Sequence, residues 1–275
     1  MINLLSANLF RLKRSNLFWT AFGLSAGFGA FMCVTRYREQ FLYNYEVSLD
    51  SVFFGWAMVI GLVLSVFLPL FFGTEYSDGT IRNKIIAGHR RHAIYWANLM
   101  TALLSAVVFC ATYMLACVVV GIPLIGWLSV KTSVVLLNGL EAFLMTAAWC
   151  AVFTAIVMNC GRKSASAVSC ILLFLLLFIG AFTVYQMLDA PEFYPTYSLT
   201  VDGQVSSVME PNPVYLTEDQ RPFYEFLLDL NPMGQAVQCA DLAVIRPIQA
   251  VLCSLGVITA AAAGGAALFQ RKDLK

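Results

Sequence analysis

Charge is scarce in this chain: only 12% of its 275 residues are Asp, Glu, Lys or Arg. A soluble domain keeps about a quarter of its residues charged to wet its surface, so the deficit excludes an ordinary water-soluble globule. The net charge of +1 removes any bulk electrostatic case for a nucleic-acid partner. Histidine is nearly absent, with His89 and His92 the two present, and no HExxH or DxD motif occurs. A zinc-dependent membrane protease or a metal-dependent transferase therefore lacks its machinery. The eight cysteines (Cys33, Cys110, Cys117, Cys150, Cys160, Cys170, Cys239, Cys253) form no CxxC or Cys/His cluster, which leaves zinc and thiol-redox chemistry unsupported. Most sit in apolar runs, where Cys behaves as a small buried hydrophobe. The stretch CGRKS at 160–164 lacks the glycine that a phosphate loop places five residues before its Gly-Lys-Ser. No catalytic residue, metal or cofactor is expected here, and Arg162 and Lys163 read as topological anchors.

What the chain has instead is oil: 60% hydrophobic residues and a mean hydropathy of +0.76. Val52–Phe72 alone supplies 21 residues without charge, and a helix needs about 20 to cross a bilayer core. Six such runs are readable, at 17–35, 52–72, 95–121, 132–158, 165–187 and 248–269. Backbone groups in lipid must be satisfied within the segment, so the runs are helices. The expected fold is an all-α polytopic membrane protein, one transmembrane domain over 1–275. With the N-terminus inside, twelve of the 17 Lys and Arg fall on the inner side, which places both ends in the cytoplasm of a plasma-membrane protein. The first run has no convincing cleavage site and reads as a retained span. Ahead of it, Ile2, Leu5, Leu9 and Leu12 follow a helical spacing beside Arg11, Lys13 and Arg14. That spacing predicts an amphipathic surface helix over 2–14, apolar face in lipid.

Residues 188–247 read as the one large water-exposed piece, a small mixed extracytoplasmic segment. YSLTVDGQVSSVM alternates around Asp202-Gly203, a favoured hairpin turn. A helix over TEDQRPFYEFLLDL would be capped by Thr217, with Phe223, Phe226, Leu227 and Leu230 on one face. Its many aromatics fit the bilayer edge better than a binding surface.

One acid lies well inside a span. Glu141 stands about nine residues into the fourth run, roughly 13 Å deep, with Asn138 one turn away on the same face. The pair is a candidate substrate or ion pathway, or else an interhelical hydrogen bond. Gly23, Gly27 and Gly29 in GLSAGFGA, and AAAAGGAA in the last span, allow close helix contacts within a subunit or across a dimer.

The inner loop at 73–94 has its own grammar. Glu75 and Asp78 precede Gly79-Thr80, Thr80 can cap a short helix, and Ile81, Ile85 and Ile86 alternate with Arg82 and Lys84. Gly88 ends that helix before Arg90-Arg91 re-enters the membrane. GTEYSDGTIRNKIIAGHRRHAIYWANL resembles the loop of type-2 ABC transporter permeases. The basic amphipathic start, six spans, Asn231-Pro232 before the last span and the closing RKDLK are similar to that family's plan. The resemblance implies a non-enzymatic membrane subunit that dimerises with a second copy or a paralogue. It also implies docking onto a separate cytosolic ATPase that binds ATP and magnesium. By the same resemblance 73–94 is a coupling helix, whose contact would be made by Glu75, Tyr76, Asp78, Gly79, Thr80 and Arg82. It implies export of a cargo it does not name, which the uncharged spans make hydrophobic or peptide-like. The competing readings are a stand-alone ion-coupled carrier, which wants more intramembrane charge and an internal repeat, and a non-transporting membrane anchor or sensor.

Overall fold

A computed structural model of the chain describes every residue except 1, 45, 200–204, 243, 245 and 273–275. Six helices long and apolar enough to cross a membrane are present: α2 (Asn16–Tyr43), α4 (Trp56–Ser77) with the short α3 (Asp50–Phe53) leading into it, α6 (Arg91–Ala116), α8 (Thr132–Cys160), α9 (Lys163–Asp189) and α12 (Pro247–Arg271). The protein is an all-α polytopic membrane protein. Around the spans lie α1 (Ile2–Lys13), α5 (Thr80–Ile86), α7 (Ile122–Ile125), α10 (Arg221–Leu230) and α11 (Pro232–Ala240). Strands β1 (Phe193–Leu199) and β2 (Val205–Pro211) pair antiparallel, Phe193 opposite Pro211. The Asp202-Gly203 turn expected between them lies outside the described residues, as does the end of RKDLK.

The bundle is built around α8. It packs on α12, α4, α6, α9 and α11, and 67% of its apolar window is buried, against 17% for α9 and 22% for α2. Lipid is as apolar as leucine, so burial between such helices gains dispersion and close backbone approach rather than release of water. The Trp149 ring stacks on Phe153 at 5.0 Å and tilts against Phe174 at 5.8 Å. Across from it α4 presents Gly61, where a Cβ would stand 2.9 Å from the Trp149 ring. α12 approaches through Gly265, where a Cβ would meet the Ala155 Cβ at 2.6 Å. Gly265→Leu is therefore expected to cost about 1–3 kcal/mol through overpacking, while Gly264→Leu, at a position with open space, leaves the thermal midpoint unchanged. Equal midpoints for the two variants would contradict this packing.

The glycines of α2 divide in the same way. Gly29 lies against α6, its added Cβ 2.8 Å from the Tyr113 carbonyl oxygen, whereas Gly23 and Gly27 face open space. Gly29 thus makes an intrachain contact.

Several expectations are corrected. The first span runs to Tyr43 rather than residue 35, carrying Arg36 and Glu39 as an i,i+3 pair at 2.7 Å. α1 does not turn the expected Ile2-Leu5-Leu9-Leu12 stripe to lipid. It buries Leu12 of that stripe together with Leu4 and Asn8, packed on α6, while Leu5 and Leu9 are half-buried and Ile2 is exposed. The helix after Thr217 starts at Arg221, without a side-chain cap. Its Phe223, Phe226 and Leu230 are exposed while Leu228 and Asp229 turn inward. The segment 188–247 is not wholly water-exposed either. α11 is buried from Pro232 to Cys239 among α8, α4 and α9, and the Asn231 side chain caps it by accepting from Met233 N at 2.9 Å.

Candidate functional site: the α5 end of the bundle

The turn from α4 to α5 reverses the chain through Asp78-Gly79. Gly79 takes the left-handed conformation (φ 65) and occupies the helix N-cap, so Thr80 is the first helical residue and makes no capping bond. An L side chain pays roughly 1–2 kcal/mol there, which is why the turn carries glycine and why Thr80 is not the cap.

One turn before the reversal, Glu75 points into the protein. Its carboxylate is fully buried, 2.5 Å from Arg11 Nη1 of α1 and 2.8 Å from Lys84 Nζ of α5. Asn98 of α6 donates to its other oxygen at 3.3 Å. The cage closes on itself. Asn8 donates to the Asn98 side chain at 2.7 Å, and Lys84 reaches Asn8 Oδ1 at 3.1 Å. The Arg11 guanidinium also lies over the Phe71 ring at 4.2 Å. Four helices (α1, α4, α5 and α6) therefore meet on a single carboxylate. A buried carboxylate would be costly alone, and here two cations and an amide replace its water.

Tyr76 is turned inward too, its hydroxyl donating to the Met158 carbonyl at the end of α8. Lys272, just past α12, donates to the same carbonyl at 3.2 Å and stands over the Tyr76 ring at 4.6 Å. Burial lowers the pKa of Lys272, with the Cys160 thiol working in the opposite direction. Arg91 at the start of α6 holds the carbonyls of Gln270 and Lys272. The lower ends of α4, α6, α8 and α12 are thereby tied together.

Of the six loop residues singled out from the sequence, Asp78 and Arg82 are exposed and Gly79 and Thr80 half-buried. Glu75 and Tyr76 instead face other helices of the same chain, so they cannot present side chains to an outside protein in this conformation. The outward face of α5 also carries Asn83 and the exposed Ile86. Sequence reasoning missed Asn8, Asn98 and Lys272. The available signal was an asparagine in the apolar run 95–121, a polar group that has to find a partner. The other candidate pair, Asn138 and Glu141, lies far along α8 among α11 and its neighbours, both residues buried.

No curated protein matches the sequence. Residues 4–180 match the family described as ABC-2 family transporter protein, a stretch running from α1 through the Glu75 cage and α8 into α9. The chain is a membrane component of transport, and it belongs to the ABC-2 transporter family.

Proposed function

We propose that this chain is the permease subunit of an ATP-driven exporter, docking onto a separate cytosolic ATPase through the turn and outer face of α5. Asp78, Gly79, Thr80 and Arg82 make the docking contact, with Ile86 as an apolar anchor. Glu75 and Tyr76 act behind it as internal links. The observation carrying this reading is the Glu75 cage. A push on α5 through Lys84 reaches α4 directly, and α1 and α6 through the same carboxylate. A loop serving merely to connect two spans needs no such bracing.

On this reading ATP and magnesium are bound by the partner, and the present chain performs no catalysis. The complex sits in the plasma membrane with the α5 side and both termini in the cytoplasm. A second permease copy or a paralogue completes it, with the open faces of Gly23 and Gly27 available for that contact. The cargo is hydrophobic or peptide-like, in keeping with the uncharged spans.

Co-purification with candidate cytosolic ATPases tests the docking. The wild type should retain an ATPase, and Arg82→Glu with Ile86→Asp should reduce retention at least tenfold, about 1.4 kcal/mol of binding or more. Both side chains are exposed, so the fold should be untouched. An unchanged yield of bound ATPase from that variant, or none bound by the wild type, would sink the reading.

A further inference from the structure

At the other end of α8 the polar groups are not satisfied. Glu141 is 1% exposed and Asn138 3% exposed, one turn apart on one helical face. Both carboxylate oxygens of Glu141 and the amide oxygen of Asn138 lack any hydrogen-bond partner. The Asn138 amide nitrogen is committed to the Val134 carbonyl at 2.9 Å, so the orientation leaves its oxygen as the free atom. Three acceptors thus stand together without a donor. Leaving buried polar groups unpaired costs about 1–3 kcal/mol each, and more for a charged group.

The surroundings add negative charge rather than cancel it. Asp229 of α10, also buried, stands near enough to oppose a charge on Glu141. It accepts from Gln238 at 2.9 Å. The neighbouring cation, Arg246, is engaged by Glu225 at 2.7 Å. The Cys239 thiol is directed at the Asn138 backbone carbonyl, 3.9 Å away, and supplies no positive charge.

We propose that Glu141 and Asn138, backed by the charge of Asp229, form a binding site for a monovalent cation in the half of the bundle that α10 and α11 close. All free ligand atoms are oxygen, the donor set for a hard cation or an ammonium group. The Glu141 carboxylate, wholly unpartnered, supplies the ligand oxygens for a single cation, whereas Asp229, whose oxygen accepts from the neutral Gln238 amide, adds only its field. A proton on Glu141 would supply one donor to this group of acceptors, whereas a cation held between the two side chains engages all three. The same chemistry is offered by an alkali ion and by a primary ammonium on a cargo molecule. The site is independent of ATPase docking, since none of its residues belongs to the α5 end.

The test is thermal unfolding of the purified full chain in nanodiscs, at fixed pH and ionic strength. Choline chloride is replaced in turn by sodium, potassium or methylammonium chloride. At a concentration about tenfold above the dissociation constant, the bound cation should raise the wild-type midpoint by about 3–6 °C. Glu141→Gln should abolish the rise, and Asp229→Asn should weaken it. If Glu141→Gln fails to fold, Asn138→Ala, which removes one ligand oxygen, should still show a weakened response. A response to sodium or potassium identifies an inorganic ion, and one to methylammonium alone identifies an ammonium cargo group. Equal midpoints in all four salts overturn the proposal. So does a midpoint that moves only with pH, which would mean a proton alone fills the site, or a cation response that survives Glu141→Gln.

Discussion

Glu75→Ala is expected to be among the most damaging single substitutions at the α5 end of the bundle, lowering stability by about 3 kcal/mol. Removing one partner of a buried ion pair costs about 3–5 kcal/mol, because the remaining charge is left buried without compensation. Here two cations are left, Arg11 and Lys84, facing each other across the vacated space. Their side chains are 32% and 13% exposed, so water reaches Arg11 and holds the cost to the lower end of that range. The thermal midpoint should fall by roughly 6–12 °C. Restoring neutrality should recover part of the loss, so Glu75→Ala combined with Lys84→Met should be more stable than Glu75→Ala alone. A single variant within about 0.5 kcal/mol of wild type, the range of an ordinary surface change, would show that the cage does not hold these helices. Transport should suffer more than stability, because a chain that still folds has lost the link from α5 to α1 and α6. On the exporter reading proposed above, the readout is export in vesicles that also hold the proposed ATPase partner, compared with ATP hydrolysis in the same vesicles. Hydrolysis that continues without export is the expected signature of uncoupling.

Trp149→Ala is the second large effect. The indole is completely buried and wedged between α4, at Gly61, and α9, at Phe174. In water such a change costs about 3–5 kcal/mol, a sum of transfer and cavity terms. In a bilayer the transfer part is small, since lipid chains are as apolar as the site. What is left is the cavity. At about 24 cal/mol per Å3, an unrelaxed void on the order of 100 Å3 costs about 2.4 kcal/mol. Trp149→Phe should restore most of that by refilling the gap. If the two variants unfold at the same temperature, then shape at this position matters little and the packing account fails.

Much of the architecture was legible because lipid imposes severe rules. The apolar runs had to be helices, and five of the six were located to within a few residues. The exception, α2, continues to Tyr43 with Arg36 and Glu39 paired along one helical face, so charged residues that read as loop are accommodated in helix. The candidate site was less legible. Asp78 and Arg82 lie on the outward face of the turn and of α5. Glu75 belongs to the same short motif but points the other way, and spacing along the chain does not reveal that. Its partners Arg11 and Asn98 are distant in sequence, and only the packing of α1 on α6 brings them to one carboxylate.

By itself the sequence determined the class, the number of spans and the helical character of the loop after the second one. Those follow from local facts, namely run length against bilayer thickness and the demand that each backbone group be bonded. The tertiary structure alone decided which face of each surrounding helix turns inward. α10 shows the reason. Its apolar stripe of Phe223, Phe226 and Leu230 predicts burial in a soluble protein, yet these side chains point outward and Asp229 points in. The polar group gains a hydrogen bond, here from Gln238 at 2.9 Å. The polar residues, few in number, therefore choose the orientation, and they do so through partners that the linear sequence does not place beside them.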